Sequence, residues 1–177
     1  MQTKKMLEIY AQGRTGVQVG DNNNIFDFTY VGNVAHAHLL AASLLLASAT
    51  GKTPTTASDD PKDKVDGEAF FITNDSPVYF WDYCRAVWRA AGSPKGTEHV
   101  WVMSKDVGWV LGGLSEIFFS IVRKPPTFTR QRIVYSTMTR YYNIGKARRV
   151  LGYKPRVALG DAVNRTVKWF MAQEAAP

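Results

Sequence analysis

Cysteine is all but absent: Cys84 stands alone in 177 residues, which excludes an internal disulfide. Its place among apolar residues at helical spacing marks a buried thiol rather than a reactive one. There is no G-x-G-x-x-G turn or close relative, the loop that wraps backbone N–H groups around a dinucleotide pyrophosphate. The opening residues carry no signal-peptide pattern, since Lys4 and Lys5 precede only a short amphipathic segment. Acid is missing from a long stretch. Between Ile117 and Gly160 there is no aspartate or glutamate, against ten lysines and arginines. The most apolar segment, Ser104 to Val122, has an uncharged centre between Asp106 and Glu116 that falls short of the ~20 residues a bilayer span needs.

What is present is ordinary for a globular chain: 45% hydrophobic and 21% charged residues, with a net charge of +7. The length suits one domain able to bury a sizeable core. A helix over residues 1–12, closed by Gly13, precedes a short strand at 16–20. Asp21, Asn22, Asn23 and Asn24 form a turn cluster before a strand at 25–31. Asn33 is placed as the N-cap of a helix carrying Val34, Ala37, Leu40, Ala41 and Leu44 on one face. Residues 52–66 read as a solvated, mobile loop and 67–74 as a strand. Ser76 and Pro77 read as N-cap and first turn of a helix bearing Phe80, Cys84, Val87 and Trp88, ended by Gly92. A strand at 99–103 leads to Ser104, which caps the long apolar helix. A helix at 129–136, an extended piece at 140–143, a short helix closed by Gly152 and a terminal helix complete the chain.

The stretch DNNNIFDFTYVGNVAHAHLLAA carries a resemblance. An Asp-aromatic strand running through Tyr-Val into a helix that opens Asn-Val-Ala is similar to the extended short-chain dehydrogenases, with Asp27, Tyr30, Val31, Asn33, Val34 and Ala35 at matching positions. Phe26 replaces the usual arginine and Gly32-Asn33 the commoner acidic pair, as in the 3β-hydroxysteroid dehydrogenase branch. GDNNNIFDFTYV and DGEAFFITNDSPVYFWD resemble its fungal sterol-4α-carboxylate type. YYNIGKARRVLGYKP resembles the superfamily's C-terminal signature. The resemblance covers the C-terminal half of that family. It implies an α/β fold: the substrate-side half of a Rossmann-type NAD(P)-binding dehydrogenase without the N-terminal nucleotide-binding strands.

The resemblance also implies an activity, oxidation of a sterol 3β-hydroxyl by NAD or NADP with loss of the 4α-carboxyl, at the cytosolic face of the endoplasmic reticulum. It brings Val17, Val19, Asp27, Tyr30 and Arg132 toward the substrate. The valines would supply apolar wall and Arg132 could grip a carboxylate bidentately. No residue is assigned to cofactor, and the isolated chain is expected to bind neither NAD nor NADP. Tyr142 and Lys146 have the spacing of a catalytic Tyr-x-x-x-Lys pair. They follow the opening motif where the family's pair precedes it, and they straddle a strand-to-helix junction, so they are read as a coincidence. His36 and His38, two apart on a helix, do not make a metal pair.

Two functions from different classes stand open at this point. One is the sterol oxidoreductase that the resemblance implies, inactive as this chain alone. The other is a non-catalytic sterol- or membrane-binding module. An apolar helix followed by a one-signed basic stretch points to an anionic membrane surface, or to self-association. Nucleic acid is not expected, because the aromatic residues sit in apolar helices instead of alternating with the basic ones. Short strands are expected to leave Trp81, Trp88, Val110, Leu114, Phe118 and Phe119 poorly covered.

Overall fold

The computed structural model describes residues 2–50, 63–98, 100–126 and 128–174. In chain order these form α1 (Gln2–Ala11), β1 (Val17–Val19), β2 (Ile25–Phe26), α2 (Val31–Ala49), β3 (Val78–Tyr79), α3 (Phe80–Ala90), β4 (Trp101–Met103), α4 (Lys105–Ile121), α5 (Arg130–Thr137), α6 (Gly145–Leu151) and α7 (Leu159–Glu174). Most of the expected loop, residues 52–62, lies outside the described residues, as does His99 at the start of the expected strand. The chain forms two compact units. The first combines Met1–Phe26, Val78–Arg140 and Val163–Pro177; the second combines Asp27–Pro77 and Tyr141–Ala162.

In the first unit β1 runs parallel to β4, with Val17 opposite Trp101 and Val19 opposite Met103. β2 pairs antiparallel with β3, and Arg140 bridges to Phe26. Around these strands Phe26, Phe80, Cys84, Val87, Trp88 and Ile133 are buried. Phe26 meets Phe80 and Tyr135 edge to face at 5.6 and 5.2 Å, the arrangement that ring quadrupoles favour. Trp88 is not left uncovered as expected: its indole N–H reaches the Met6 carbonyl at 2.9 Å and locks α3 to α1. Burial pushes the Cys84 thiol up to about 12, so it is a core residue.

Two glycines seat α4 on α5. A Cβ on Gly108 would lie 3.3 Å from both Ile133 and Val19, and one on Gly112 would lie 2.9 Å from the Arg130 nitrogen. These glycines are the buried residues of α4. Close helix approach through small residues therefore decides how this helix sits. Ser104 caps α4 as expected, its hydroxyl accepting the Val107 N–H at 3.3 Å, and Thr129 caps α5 in the same way.

The second unit packs α2 against α6. Ala37, Ile144, Ala147, Val150, Leu151 and Tyr153 form its buried centre, flanked by Leu40, Leu44, Val65 and Ile72. Gly152 ends α6 at φ 62°, the left-handed conformation that glycine adopts without strain. By length and composition α2 could cross a membrane; Asn33 and Ala37 are its buried residues, and Ala37 ties it to this core.

Three expectations need correction. The strand at 25–31 stops at Phe26, because the Tyr30 N–H goes to the Asn74 side chain and the helix begins at Val31. Residues 67–74 form no strand: Gly67 is in a turn, the Ala69 carbonyl accepts Lys146 Nζ and the Thr73 carbonyl accepts the Tyr153 hydroxyl. Ser76 and Pro77 do not open α3. Residues 78 and 79 pair with β2 first, and the helix starts at Phe80 with Asn22 taking the Trp81 N–H at 2.8 Å. Asn22 does this at φ 61°, within the turn the sequence marks.

Candidate functional site

Val17, Val19 and Arg132 fall in the first unit, Asp27 and Tyr30 in the second. Val17 is exposed at the start of β1, while Val19 is buried beside Gly108, its carbonyl accepting the Trp81 indole N–H at 2.9 Å. Val17 thus offers an exposed apolar side chain at this edge, while Val19 holds the strand to the core. Arg132 lies exposed in the first turn of α5, its backbone N–H capped by Thr129 at 3.2 Å.

Asp27 is buried, and its carboxylate accepts the Tyr142 N–H through Oδ2 at 2.8 Å. Its Oδ1 is buried with no hydrogen bond among the described residues. Burial pushes this carboxyl above its ordinary value, and the Tyr142 N–H offsets part of that rise. Tyr30 is half-buried, and its ring lies over Gly32, where a Cβ would stand 2.6 Å from Cε1. A side chain at 32 would have to displace that ring.

The asparagine expected to cap α2 is instead the hub of the second unit. Asn33 sits inside the first turn, fully buried. Its Oδ1 accepts the N–H groups of Arg156 and Val157 at 3.0 and 3.1 Å. Its Nδ2 donates to Asn74 Oδ1 at 3.0 Å and to the Val157 carbonyl at 2.9 Å. Asn74 also accepts the Tyr30 N–H at 2.9 Å and donates to Val157 at 3.0 Å. Two side-chain amides thus fix the start of α2, Tyr30 and the 156–157 backbone in one network. Sequence spacing pointed to Asn33, with the wrong role, and gave no sign of Asn74.

Tyr142 and Lys146 are both spoken for. The Tyr142 ring stacks on Phe71 with centroids 4.6 Å apart and planes 11° apart, ahead of α6. Lys146, on α6, donates to Glu68 at 2.5 Å and lies 4.9 Å from the Phe70 ring centroid. The pair is not set on one helix, and no general-base arrangement results. His38 bonds the Val34 carbonyl through Nδ1 at 2.8 Å.

Much of the acid-free stretch finds its counter-charges elsewhere in the chain. Lys146 pairs with Glu68, Arg148 with Asp75, Arg149 with Asp63 and Arg130 with Glu116. Asp63 lies at the edge of the loop expected to be solvated, and Val65 beside it packs on the core.

A dinucleotide needs a glycine turn between strand and helix. The β4–α4 junction is a strand-to-helix turn of that general form, and it does not fit. It contains no glycine, and Ser104 already occupies the Val107 N–H that would face a phosphate. A cavity of about 90 Å³ lined by Thr15, Trp88, Ser93 and Lys95 is far below the ~300–1,000 Å³ of a small-molecule site.

The model of the 3-beta hydroxysteroid dehydrogenase/isomerase family matches residues 2–103. The chain belongs to this family. Over 166 residues it is 44% identical to "Sterol-4-alpha-carboxylate 3-dehydrogenase ERG26, decarboxylating" of Saccharomyces cerevisiae, covering 93% of this chain and 43% of that protein. The Schizosaccharomyces pombe protein of corresponding name is 41% identical over 164 residues, covering 93% and 44%. The human "Sterol-4-alpha-carboxylate 3-dehydrogenase, decarboxylating" is 30% identical over 167 residues, covering 93% and 41%. The chain thus spans less than half the length of these curated relatives. The crystal structure of gox2253 matches all of this chain and 46% of its own at a TM-score of 0.61 and 21% identity, a likeness of fold alone. The fold is a partial Rossmann-type α/β domain.

Proposed function

We propose that this family member supplies the substrate side of an oxidoreductase of sterol biosynthesis, one that oxidises the 3β-hydroxyl of a 4α-carboxysterol and releases the carboxyl. The observation that carries this reading is the 44% identity to the S. cerevisiae protein over 93% of the chain. The chemistry is coherent. Oxidation at C3 places a ketone β to the carboxylate. Cleavage of the bond from C4 to the carboxyl then releases carbon dioxide and leaves its electron pair in an enolate spread onto the ketone oxygen, and a proton added at C4 gives the 3-ketosterol. The oxidant is NAD or NADP, the cofactor class of such dehydrogenases, and the sequence holds no G-x-G-x-x-G turn for its pyrophosphate.

Within that reaction Arg132 is assigned to the substrate carboxylate, which a guanidinium can grip with two parallel hydrogen bonds, and Val17 to the apolar ring system. Asp27 and Tyr30 are assigned to the shape of the substrate side through their contacts with Tyr142 and Asn74. The cytosolic face of the endoplasmic reticulum is the location proposed, on the family resemblance.

Photolabelling with a 4α-carboxysterol, beside a matched sterol lacking the carboxyl, tests the assignment. Carboxyl-dependent labelling that falls about tenfold or more in Arg132→Ala supports it. Labelling indifferent to both the carboxyl and Arg132 removes Arg132 from the site, and no labelling by either sterol refutes the substrate reading.

A further inference from the structure

Arg140 carries a half-buried charge that the fold does not answer. The ion pairs among the described residues hold Arg85, Arg130, Lys146, Arg148 and Arg149, and none holds Arg140. Its Nε is buried without a hydrogen-bond acceptor. Nη2 reaches the Tyr135 hydroxyl only at 3.5 Å, the outer limit of a hydrogen bond. Nη1 has no partner among the described residues and, unlike Nε, is open to solvent. Charges withdrawn from water are as a rule paired, because an unpaired one weakens the fold.

The side chain is nevertheless held in place. Asn24, itself buried, donates to the carbonyls of Ser136 and Met138, both at 3.1 Å. The Arg140 N–H donates to the Ile25 carbonyl at 2.9 Å, in the bridge to Phe26. The guanidinium carbon then stands 4.5 Å from the Phe26 ring centroid and 5.3 Å from that of Tyr135, where ring quadrupoles attract a cation. Phe26 is 1% exposed and meets Phe80 and Tyr135 edge to face, so the platform under the cation is itself fixed. Backbone and rings thus pin the guanidinium while Nη1 stays unbonded. A planar fork of donors held in this way matches the two oxygens of a carboxylate.

We propose that Arg140 is a specificity-determining residue whose Nη1 and Nη2 take the carboxylate of the 4α-carboxysterol, alongside Arg132. The proposal rests on the sterol reading and deepens it. A carboxylate offers about four acceptor sites on its two oxygens, so two guanidiniums can share it. Arg132 is exposed on the first turn of α5, whereas Arg140 is pinned and loses less freedom when the carboxylate arrives. Discrimination follows from the same charge. A sterol lacking the carboxyl would leave it unanswered and cover it further, which selects against that ligand. The pyrophosphate of the oxidant is the other oxyanion of the reaction, but it calls for backbone N–H groups at a glycine turn, and Arg140 is flanked by Thr139 and Tyr141.

The test measures equilibrium binding of a radiolabelled 4α-carboxysterol, and of the matched sterol lacking the carboxyl, to the full chain. The parent should prefer the carboxysterol by about tenfold or more. Arg140→Met keeps an apolar stem on the rings and should cut that preference to about twofold or less, with affinity for the neutral sterol unchanged. Arg140→Lys keeps the charge without the fork and should show an intermediate preference. Urea unfolding supplies a readout that a merely structural arginine would not give. Without sterol, Arg140→Met should be at least as stable as the parent, and the carboxysterol should raise the parent's midpoint more than the variant's. A preference that Arg140→Met retains overturns the proposal and leaves the sterol reading standing. Should Arg140→Met not fold, full preference in Arg140→Lys overturns it. An Arg140-dependent rise in midpoint with inorganic pyrophosphate, and none with the carboxysterol, would assign the guanidinium to a phosphate and overturn it as well. Binding of neither sterol overturns the substrate reading itself and the proposal with it.

Discussion

Asn33 donates its side-chain N–H to the side-chain oxygen of Asn74 at 3.0 Å, and both residues are buried. Through that bond the first turn of α2 is held to residue 74 and to the backbone at 156–157, stretches far apart in sequence. Replacing Asn33 by alanine would strand the N–H groups of Arg156 and Val157. A buried unsatisfied group costs ~1–3 kcal/mol, so stranding two should cost Asn33→Ala at least about 2 kcal/mol in urea unfolding. Asn33→Asp keeps the acceptor and loses both donors, and should not restore stability. A loss below about 1 kcal/mol for the alanine variant would contradict the role given to this network.

Adjacent glycines in α4 should respond in opposite ways. A Cβ at Gly112 meets the backbone of residues 129 and 130 at 2.9–3.3 Å, whereas at Gly113 the nearest atom is the flexible Arg130 Cδ at 3.6 Å. Gly112→Ala should therefore destabilise by about 1–3 kcal/mol as α4 is pushed off α5. Gly113→Ala should be neutral or stabilise by up to about 1 kcal/mol, the helix propensity gained. Thermal unfolding of the two variants side by side settles the matter, and equal effects would mean that α4 does not sit on α5 through this face.

Asp27 should make stability fall as pH rises. Its carboxyl is pushed up by burial, so in the folded state it ionises at higher pH than in the unfolded chain. Below the ordinary carboxylate range of ~3.9 both states are protonated and the residue imposes no penalty. Above the raised value it is charged in both, and the buried charge destabilises the fold. Asp27→Asn removes this titration while keeping an acceptor for the Tyr142 N–H. The variant's stability relative to the parent should climb from acid to neutral pH, whatever its offset. A pH-independent or falling difference in urea titrations would refute the assignment.

How much of this was readable from residues alone depends on the kind of bond involved. Helices came through well where a local cue sets them: Ser104 and Thr129 cap α4 and α5, and Gly152 ends α6. Strands read less well, since residues 67–74 have the composition of a strand but give backbone carbonyls to the side chains of Lys146 and Tyr153. Those partners lie far along the chain, and no local pattern announces them. Asn33 looked like a cap because it precedes an apolar periodic run, and Asn74, 41 residues later, drew it inside the helix instead. The charge asymmetry of 117–160 was visible, but the pairing of three of its cations with Asp63, Glu68 and Asp75 required the fold.

The Tyr142 and Lys146 contacts carry a prediction for chemistry. Tyr142 stacks on Phe71 and Lys146 pairs with Glu68, both as structure. In a full-length relative, substitutions at the matching positions equivalent to Tyr142→Phe and Lys146→Ala should leave turnover within a few-fold. A loss on the order of a hundredfold, as when a general acid–base is removed, would make the pair catalytic.

The central claim is that this chain can serve as the substrate side of a decarboxylating sterol dehydrogenase. A hybrid tests it most directly, with this chain replacing the matching 166-residue stretch of the S. cerevisiae relative. Carbon dioxide release from a 4α-carboxysterol, measured with NAD and NADP, is the readout, and nicotinamide fluorescence and cooperative unfolding establish that the hybrid folds and binds cofactor. The account predicts 3-ketosterol formation and carbon dioxide release within about tenfold of the parent, a cost of ~1.4 kcal/mol in the barrier. A hybrid that folds and binds cofactor yet forms neither product would contradict it.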